Sequence, residues 1–261
     1  MRFLIPVLLL LSVATVAQDL SLFEKRTYIT AKGDTLPYRI LFPEGYDKSI
    51  KYPFVLFLHG GGERGTDNEK QLTNGVKLFL DPANRKKYPA IVVAPQCMMD
   101  SFWPSVKYDR TQRPLQLDFN YNNEITRALQ ATTELTYDLL KTESVDKKAV
   151  YITGLSMGGM GTLEMVYRNP GLFAAAAPIC GGGDTKAYSK KNTGTRFWLF
   201  HGDIDAVIEV KHSRAMYQRL QDLKANVHYT EYPGVNHNSW DNAYSEPDFL
   251  EWMFNKKYKF N

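Results

Sequence analysis

Cysteine is scarce: only Cys97 and Cys180 occur among 261 residues. They show no Cys-x-x-Cys spacing, so neither a zinc site nor dithiol redox chemistry is indicated. An exported chain can oxidise such a pair, yet pairing needs Cα atoms within about 7 Å. Two buried thiols are nearly as good an expectation. Low-complexity tracts, internal repeats and Pro/Ser-rich linkers are missing too, which argues against a chain cut into separate domains. Charge of one sign is not in excess. The formal net charge is +4 and the basic residues are scattered, so neither nucleic acid nor an anionic membrane is indicated as the main partner. Past the first residues no apolar run is long enough for a membrane helix, and no membrane insertion is expected. The loop Gly181-Gly182-Gly183-Asp184-Thr185-Lys186 lacks the Gly-Lys-Ser/Thr ending of a phosphate-binding loop and reads as a plain loop.

The N-terminus has the form of a secretory signal peptide. Met1-Arg2 is basic, Phe3 to Val13 is almost wholly apolar, and Ala14-Thr15-Val16-Ala17 offers small residues where a signal peptidase reads. Residues 1–17 are therefore expected to be removed, and no cysteine stands there to take a lipid. The expected location is secreted or periplasmic, and residues 18–261 are expected to form one domain.

Along that domain, Leu22 to Thr30 and Leu36 to Phe42 are strand-like and joined by the turn Lys32-Gly33-Asp34. Continuous apolar runs follow at Pro53 to Leu58, Ala90 to Ala94, Ala149 to Ile152, Ala174 to Ile179 and Phe197 to Phe200. Runs without alternation suit strands covered on both faces. Helical periods lie between them, at Ile125 to Leu140, Thr162 to Tyr167 and Val210 to Leu223. Val227 to Tyr232 reads as the last strand, and Phe249 to Phe254 as a closing helix. The fold class this predicts is α/β, a mostly parallel sheet with helices on both faces and an antiparallel start. Met98 to Asn123 has no clean period. It reads as a structureless insert overhanging the strand ends, where such sheets bind ligands.

The most informative stretch is Val150 to Gly159. A short strand runs into Gly154-Leu155-Ser156-Met157-Gly158, followed by a segment that can be helical. A lone Gly-x-Ser-x-Gly string carries little weight. Between a strand and a helix it is the sequence form of a nucleophile elbow, with the serine exposed on a sharp turn. A serine hydroxyl needs a base to take its proton, and the base needs a carboxylate to hold it. Both follow in the chain. His201-Gly202-Asp203-Ile204-Asp205 opens a loop after one strand, and Asn236-His237-Asn238 lies in the loop after the last. His237 is the expected base. Of the other histidines, His59 precedes the serine, His201 reads equally as a packed residue, His212 as a solvated helix residue, and His228 lies within a strand. Asp203 and Asp205 compete evenly for the acid. Leu58-His59-Gly60-Gly61-Gly62 can aim backbone amides at an oxyanion, with the amide of Met157 as the second donor.

With these motifs in view, the sequence resembles the α/β-hydrolase superfamily, in particular small secreted esterases related to feruloyl and acetyl-xylan esterases and the group often labelled predicted peptidases. The resemblance rests on Leu58 to Gly65, Ala94 to Cys97, Gly154 to Gly159, His201 to Val207 and Asn236 to Trp240. It implies an acid at Asp205, a base at His237 and oxyanion amides at Gly61 and Met157. Ala206 stands where the family commonly has proline. Gln96 is implied to line the site. Trp103 and Trp240, with Phe102 and Tyr108, are candidates for an aromatic platform. The expected activity is that of a secreted serine carboxylic-ester hydrolase working through an acyl-enzyme without metal or cofactor. Its substrate would be a small-molecule or oligosaccharide ester, acetyl or feruloyl. The rivals are a serine peptidase of the prolyl-oligopeptidase type and a non-catalytic binding protein on a hydrolase fold.

Overall fold

The computed structural model describes residues 19–109 and 111–260. The expected signal peptide, residues 1–17, lies outside the described residues.

Ten strands and six α-helices follow in the order β1 (Glu24–Ile29), β2 (Thr35–Leu41), β3 (Tyr52–Leu58), α1 (Pro82–Lys87), β4 (Ile91–Pro95), β5 (Val106–Asp109), β6 (Gln116–Phe119), α2 (Arg127–Thr142), β7 (Val145–Leu155), α3 (Met157–Arg168), β8 (Ala175–Ile179), β9 (Arg196–Gly202), α4 (Lys211–Asp222), β10 (Val227–Tyr232), α5 (Trp240–Ala243) and α6 (Phe249–Phe254) among the described residues. Eight strands form one sheet in the order β1-β2-β4-β3-β7-β8-β9-β10. The β1–β2 and β2–β4 pairs are antiparallel and every later pair is parallel. This is the α/β-hydrolase arrangement, with the antiparallel start expected from the Lys32-Gly33-Asp34 turn. Gly33 takes φ 86° there, a region L side chains avoid.

The apolar runs sort themselves onto the two faces by alternation. Phe54, Leu56 and Leu58 of β3, Val150 and Ile152 of β7, and Phe197 and Leu199 of β9 share one core. Leu129 and Leu135 of α2, Leu163 and Val166 of α3, and Met216 and Leu220 of α4 cover it. The intervening Val55, Phe57, Tyr151, Trp198 and Phe200 enter the opposite core, under Phe249, Trp252 and Met253 of α6. Strands buried on both sides therefore read as unbroken hydrophobic sequence.

The sheet also decides the cysteines. Cys97 follows β4 and Cys180 follows β8, at the same edge. Three strand spacings, roughly 14 Å, separate β4 from β8, so the pair cannot bond, and both are free, buried thiols.

The stretch Met98 to Asn123 departs from expectation. It contains a second sheet, the antiparallel β5–β6 ribbon. Fully buried Glu164 of α3 accepts from the Ser105 amide at 2.5 Å and from Arg168 Nε at 2.7 Å. Arg168 in turn donates to the carbonyls of Tyr121 and Asn123 at 3.2 and 3.0 Å. At the far end the Leu115 amide donates to the carbonyl of Val207 at 2.8 Å. The insert is thus pinned at its base to α3 and at its tip beside Asp205.

Candidate active site

Parallel strands place their following loops at one edge, and that edge collects the candidate residues. Ser156 follows β7, Asp205 follows β9, His237 follows β10, and His59-Gly60-Gly61 follows β3.

Ser156 has φ 55° and ψ −117°, a left-handed conformation that costs a non-glycine residue about 1–3 kcal/mol. The surroundings impose it. The Ser156 amide donates to the Ile179 carbonyl of β8 at 2.9 Å, and the Ser156 carbonyl accepts from the Met160 amide at 3.0 Å. The turn is possible because of its glycines. A Cβ on Gly154 would lie 2.5 Å from the Gly158 oxygen, and one on Gly158 would lie 2.0 Å from the Leu58 oxygen.

Ser156, His237 and Asp205 stand in series. His237 Nε2 lies 2.9 Å from Ser156 Oγ and its Nδ1 lies 2.8 Å from Asp205 Oδ2. Asp205 Oδ1 accepts from the amides of Val207 and Ile208 at 2.8 and 2.9 Å. Burial acts to raise the Asp205 pKa, but hydrogen bonds from His201, His237 and Ile208 and the charge of His237 outweigh it, holding the carboxyl well below the usual carboxylate range. Geometry distinguishes the two acids, since only Asp205 meets His237. Asp203 turns away and accepts from the Gly234 amide at 2.7 Å, tying the acid loop to the base loop. Asn236 Oδ1 adds a second tie, accepting from the amides of Ala206 and His237 at 2.9 and 2.7 Å. Gly202 allows the close approach, since a Cβ there would meet the Val235 oxygen at 2.2 Å.

Among the described residues, Cys180 Sγ, Asp205 and His237 put metal-ligand atoms within 4.8 Å of one another. Their chemistry does not suit a metal: the Asp205 and His237 atoms face each other in a hydrogen bond, and burial raises the Cys180 thiol pKa, disfavouring the thiolate.

Met157 is the first residue of α3, so its amide has no acceptor within the helix. The Gly61 amide is oriented by a residue whose role the sequence did not disclose. His59 is buried, and its Nε2 accepts from the Cys97 amide at 2.9 Å. Its proton therefore sits on Nδ1, which donates to the Gly60 carbonyl at 2.6 Å. In a trans peptide the N–H points opposite the C=O, so this bond aims the Gly61 amide away from the imidazole. Burial lowers the His59 pKa to about 4, which keeps the ring neutral. Arg64 holds the next carbonyl, donating from Nε to Gly61 O at 3.1 Å, and reaches the insert through Met99 and Ser101. A His-Gly dipeptide directly after a strand is the signal that could have pointed to His59.

Two residues expected to line the site do not. Gln96 is fully buried, and its amide is used up bracing the loop after β3: Nε2 donates to Glu63 O and Asp67 Oδ1, and Oε1 accepts from the Asn68 amide. Trp103 is also fully buried and cannot serve as a platform. Its Nε1 donates to the His59 carbonyl at 3.0 Å, and its Cβ would lie 2.6 Å from a Cβ on Gly161. Trp103→Phe keeps the apolar bulk but strands that carbonyl, at an expected cost of about 1–3 kcal/mol. Urea unfolding should show the loss while KM for a small ester stays unchanged; a raised KM with unchanged stability would return Trp103 to the binding surface. Phe102 and Tyr108 are half-buried and stacked at 5.0 Å, and Trp240 stands edge-on to His237 at 5.4 Å. His212, expected on a solvated face, is half-buried against Phe119.

Residues 47–246 match the family described as phospholipase/carboxylesterase. A solved thermostable esterase is 36% identical with a TM-score of 0.80, over 90% of this chain and 63% of that one. The chain thus spans under two thirds of that esterase's length. A ferulic acid esterase from Anaeromyces mucronatus, solved with ferulic acid, shares 17% identity and a TM-score of 0.66 over 90% of this chain and 91% of its own. An acylaminoacyl peptidase from Pyrococcus horikoshii shares 17% identity and a TM-score of 0.62 over 92% of this chain and 43% of its own. At that identity the last two are likenesses of fold.

Proposed function

Because this chain is an α/β-hydrolase belonging to the phospholipase/carboxylesterase family, we propose that it is a secreted serine hydrolase of carboxylic esters, acting on acetyl or feruloyl esters of carbohydrates. The observation that carries the reading is the uninterrupted series from Ser156 Oγ through His237 to Asp205. Secretion rests on the form of residues 1–17. The carbohydrate ester rests on the resemblance stated above and on the half-buried aromatic pair Phe102 and Tyr108 and the ring of Trp240 at the same edge.

In this mechanism His237 Nε2 takes the hydroxyl proton as Ser156 Oγ bonds to the ester carbonyl carbon. The carbonyl π electrons move to oxygen, and the amides of Gly61 and Met157 hold that oxyanion. Such donors are worth about 3–4 kcal/mol each in the transition state. Asp205, kept ionised, fixes the His237 tautomer and supports the imidazolium. The oxyanion collapses, the carbon–oxygen bond to the alcohol breaks, and His237 returns the proton to the departing alcohol. Water then repeats the sequence on the acyl-enzyme. No step calls for a metal or an organic cofactor.

The proposed substrate class is tested by offering acetylated xylan, feruloylated oligosaccharides, aryl esters and aminoacyl amides to the purified protein. Turnover of amides but not esters would favour the peptidase reading, for which the acylaminoacyl peptidase offers a likeness of fold. Failure of a fluorophosphonate to label Ser156 would favour a binding protein.

A further inference from the structure

We propose that His201 is a positioning residue for Asp205, holding the carboxylate in register with His237 through its Nε2–H. The proposal rests on the reading of Ser156, His237 and Asp205 as one catalytic series.

His201 is the penultimate residue of β9 and is fully buried. A polar ring in that position is costly unless its nitrogens are bonded. Nε2 lies 3.1 Å from Asp205 Oδ2 and 2.9 Å from the Ile208 carbonyl. An ionised carboxylate and a carbonyl can only accept, so Nε2 carries the hydrogen and shares it between them. Nδ1 lies 2.7 Å from Ser213 Oγ of α4, and that hydroxyl is itself buried, 3.0 Å from the Gly181 carbonyl. The ring is therefore fixed from two sides before it meets Asp205.

The consequence falls on one oxygen. Asp205 Oδ1 is occupied by two backbone amides, while Oδ2 receives two imidazoles, His237 from the open side and His201 from the interior. The amides hold one oxygen of the carboxylate, and His201 holds the other, the one His237 uses, so neither oxygen is left to solvent or to drift. A misplacement of about 1 Å in such a group can cost about a hundredfold in rate.

Two substitutions separate this role from mere packing. His201→Gln places an amide N–H near the Nε2 position, and His201→Leu fills similar volume with no donor. Both lose the bond to Ser213, so both should lower Tm. With p-nitrophenyl acetate, His201→Leu is expected to lower kcat about ten- to a hundredfold with KM within about twofold. His201→Gln should keep kcat within about threefold of wild type. Equal kcat in the two variants, whether both high or both low, overturns the proposal. If the leucine variant does not fold, the wild-type protein supplies the answer: its imidazole ¹⁵N resonances must show a protonated His201 Nε2, and a bare Nε2 overturns the proposal. Ser156→Ala in parallel keeps the two readings apart. Wild-type turnover there overturns the series itself, whereas an inactive Ser156→Ala beside a fully active His201→Leu overturns only the role of His201.

Discussion

Ser156→Ala is expected to lower kcat for p-nitrophenyl acetate by about 10⁵–10⁶ while leaving the protein folded. The size follows from the arrangement. Without Oγ there is no atom to form the acyl-enzyme, and His237 loses the hydroxyl 2.9 Å from its Nε2. Knocking out the nucleophile of such a unit costs about as much as removing all of it, leaving only the contribution of the oxyanion donors and binding. The fold should survive because the bonds that impose the elbow are backbone ones, to Ile179 and from Met160. Alanine at φ 55° is as strained as serine, so Tm should move little. Circular dichroism and a thermal melt alongside the rate assay check both halves. Full activity in a folded variant would end the mechanism.

Gly158→Ala is expected to do the reverse, attacking the fold in order to reach the site. The added carbon would sit 2.0 Å from the Leu58 oxygen, 2.5 Å from its carbonyl carbon and 2.7 Å from the His59 oxygen. All three are backbone atoms of the β3 terminus, so no side chain can swing aside. Either α3 lifts from β3 or the segment carrying His59 and Gly61 is displaced. A loss above about 4 kcal/mol is expected, the range reserved for named packing and strain failures. Denaturant unfolding measures it. Any protein that still folds should be inactive, because the displaced segment carries the proposed oxyanion amide. A variant within about 1 kcal/mol of wild type, with normal activity, would show that the elbow is looser than these distances imply.

What could be read from sequence alone follows from which physics is local. Strands covered on both faces announce themselves as apolar runs, and β10 and α6 fall on the expected residues. β7 begins at Val145, well before its apolar run, because Lys147 and Lys148 are exposed where the strand is uncovered. The β5–β6 ribbon leaves no trace in the sequence: its strands have four residues each, with exposed Lys107, Gln116 and Asp118 and no continuous apolar signal. At the candidate site, motif and chain order single out Ser156, directly after β7, and His237, in the loop after β10. Asp203 and Asp205 are alike in their local sequence, and only the resemblance favours Asp205. What separates them physically is which one meets Gly234 and which meets His237, a contact across some thirty residues. Trp103 and Gln96 misled because residue type does not reveal burial. An indole and an amide suited to gripping a ligand are equally suited to satisfying a carbonyl or an amide inside the protein.

The nucleophile comes from the middle of the sheet and the base from the loop after β10, which pairs only with β9 among the described residues. Read in time, that means a ribosome delivers the serine long before the imidazole proposed to activate it. On that proposal the half-made polypeptide is chemically mute, and it gains reactivity only when the outermost strand has docked.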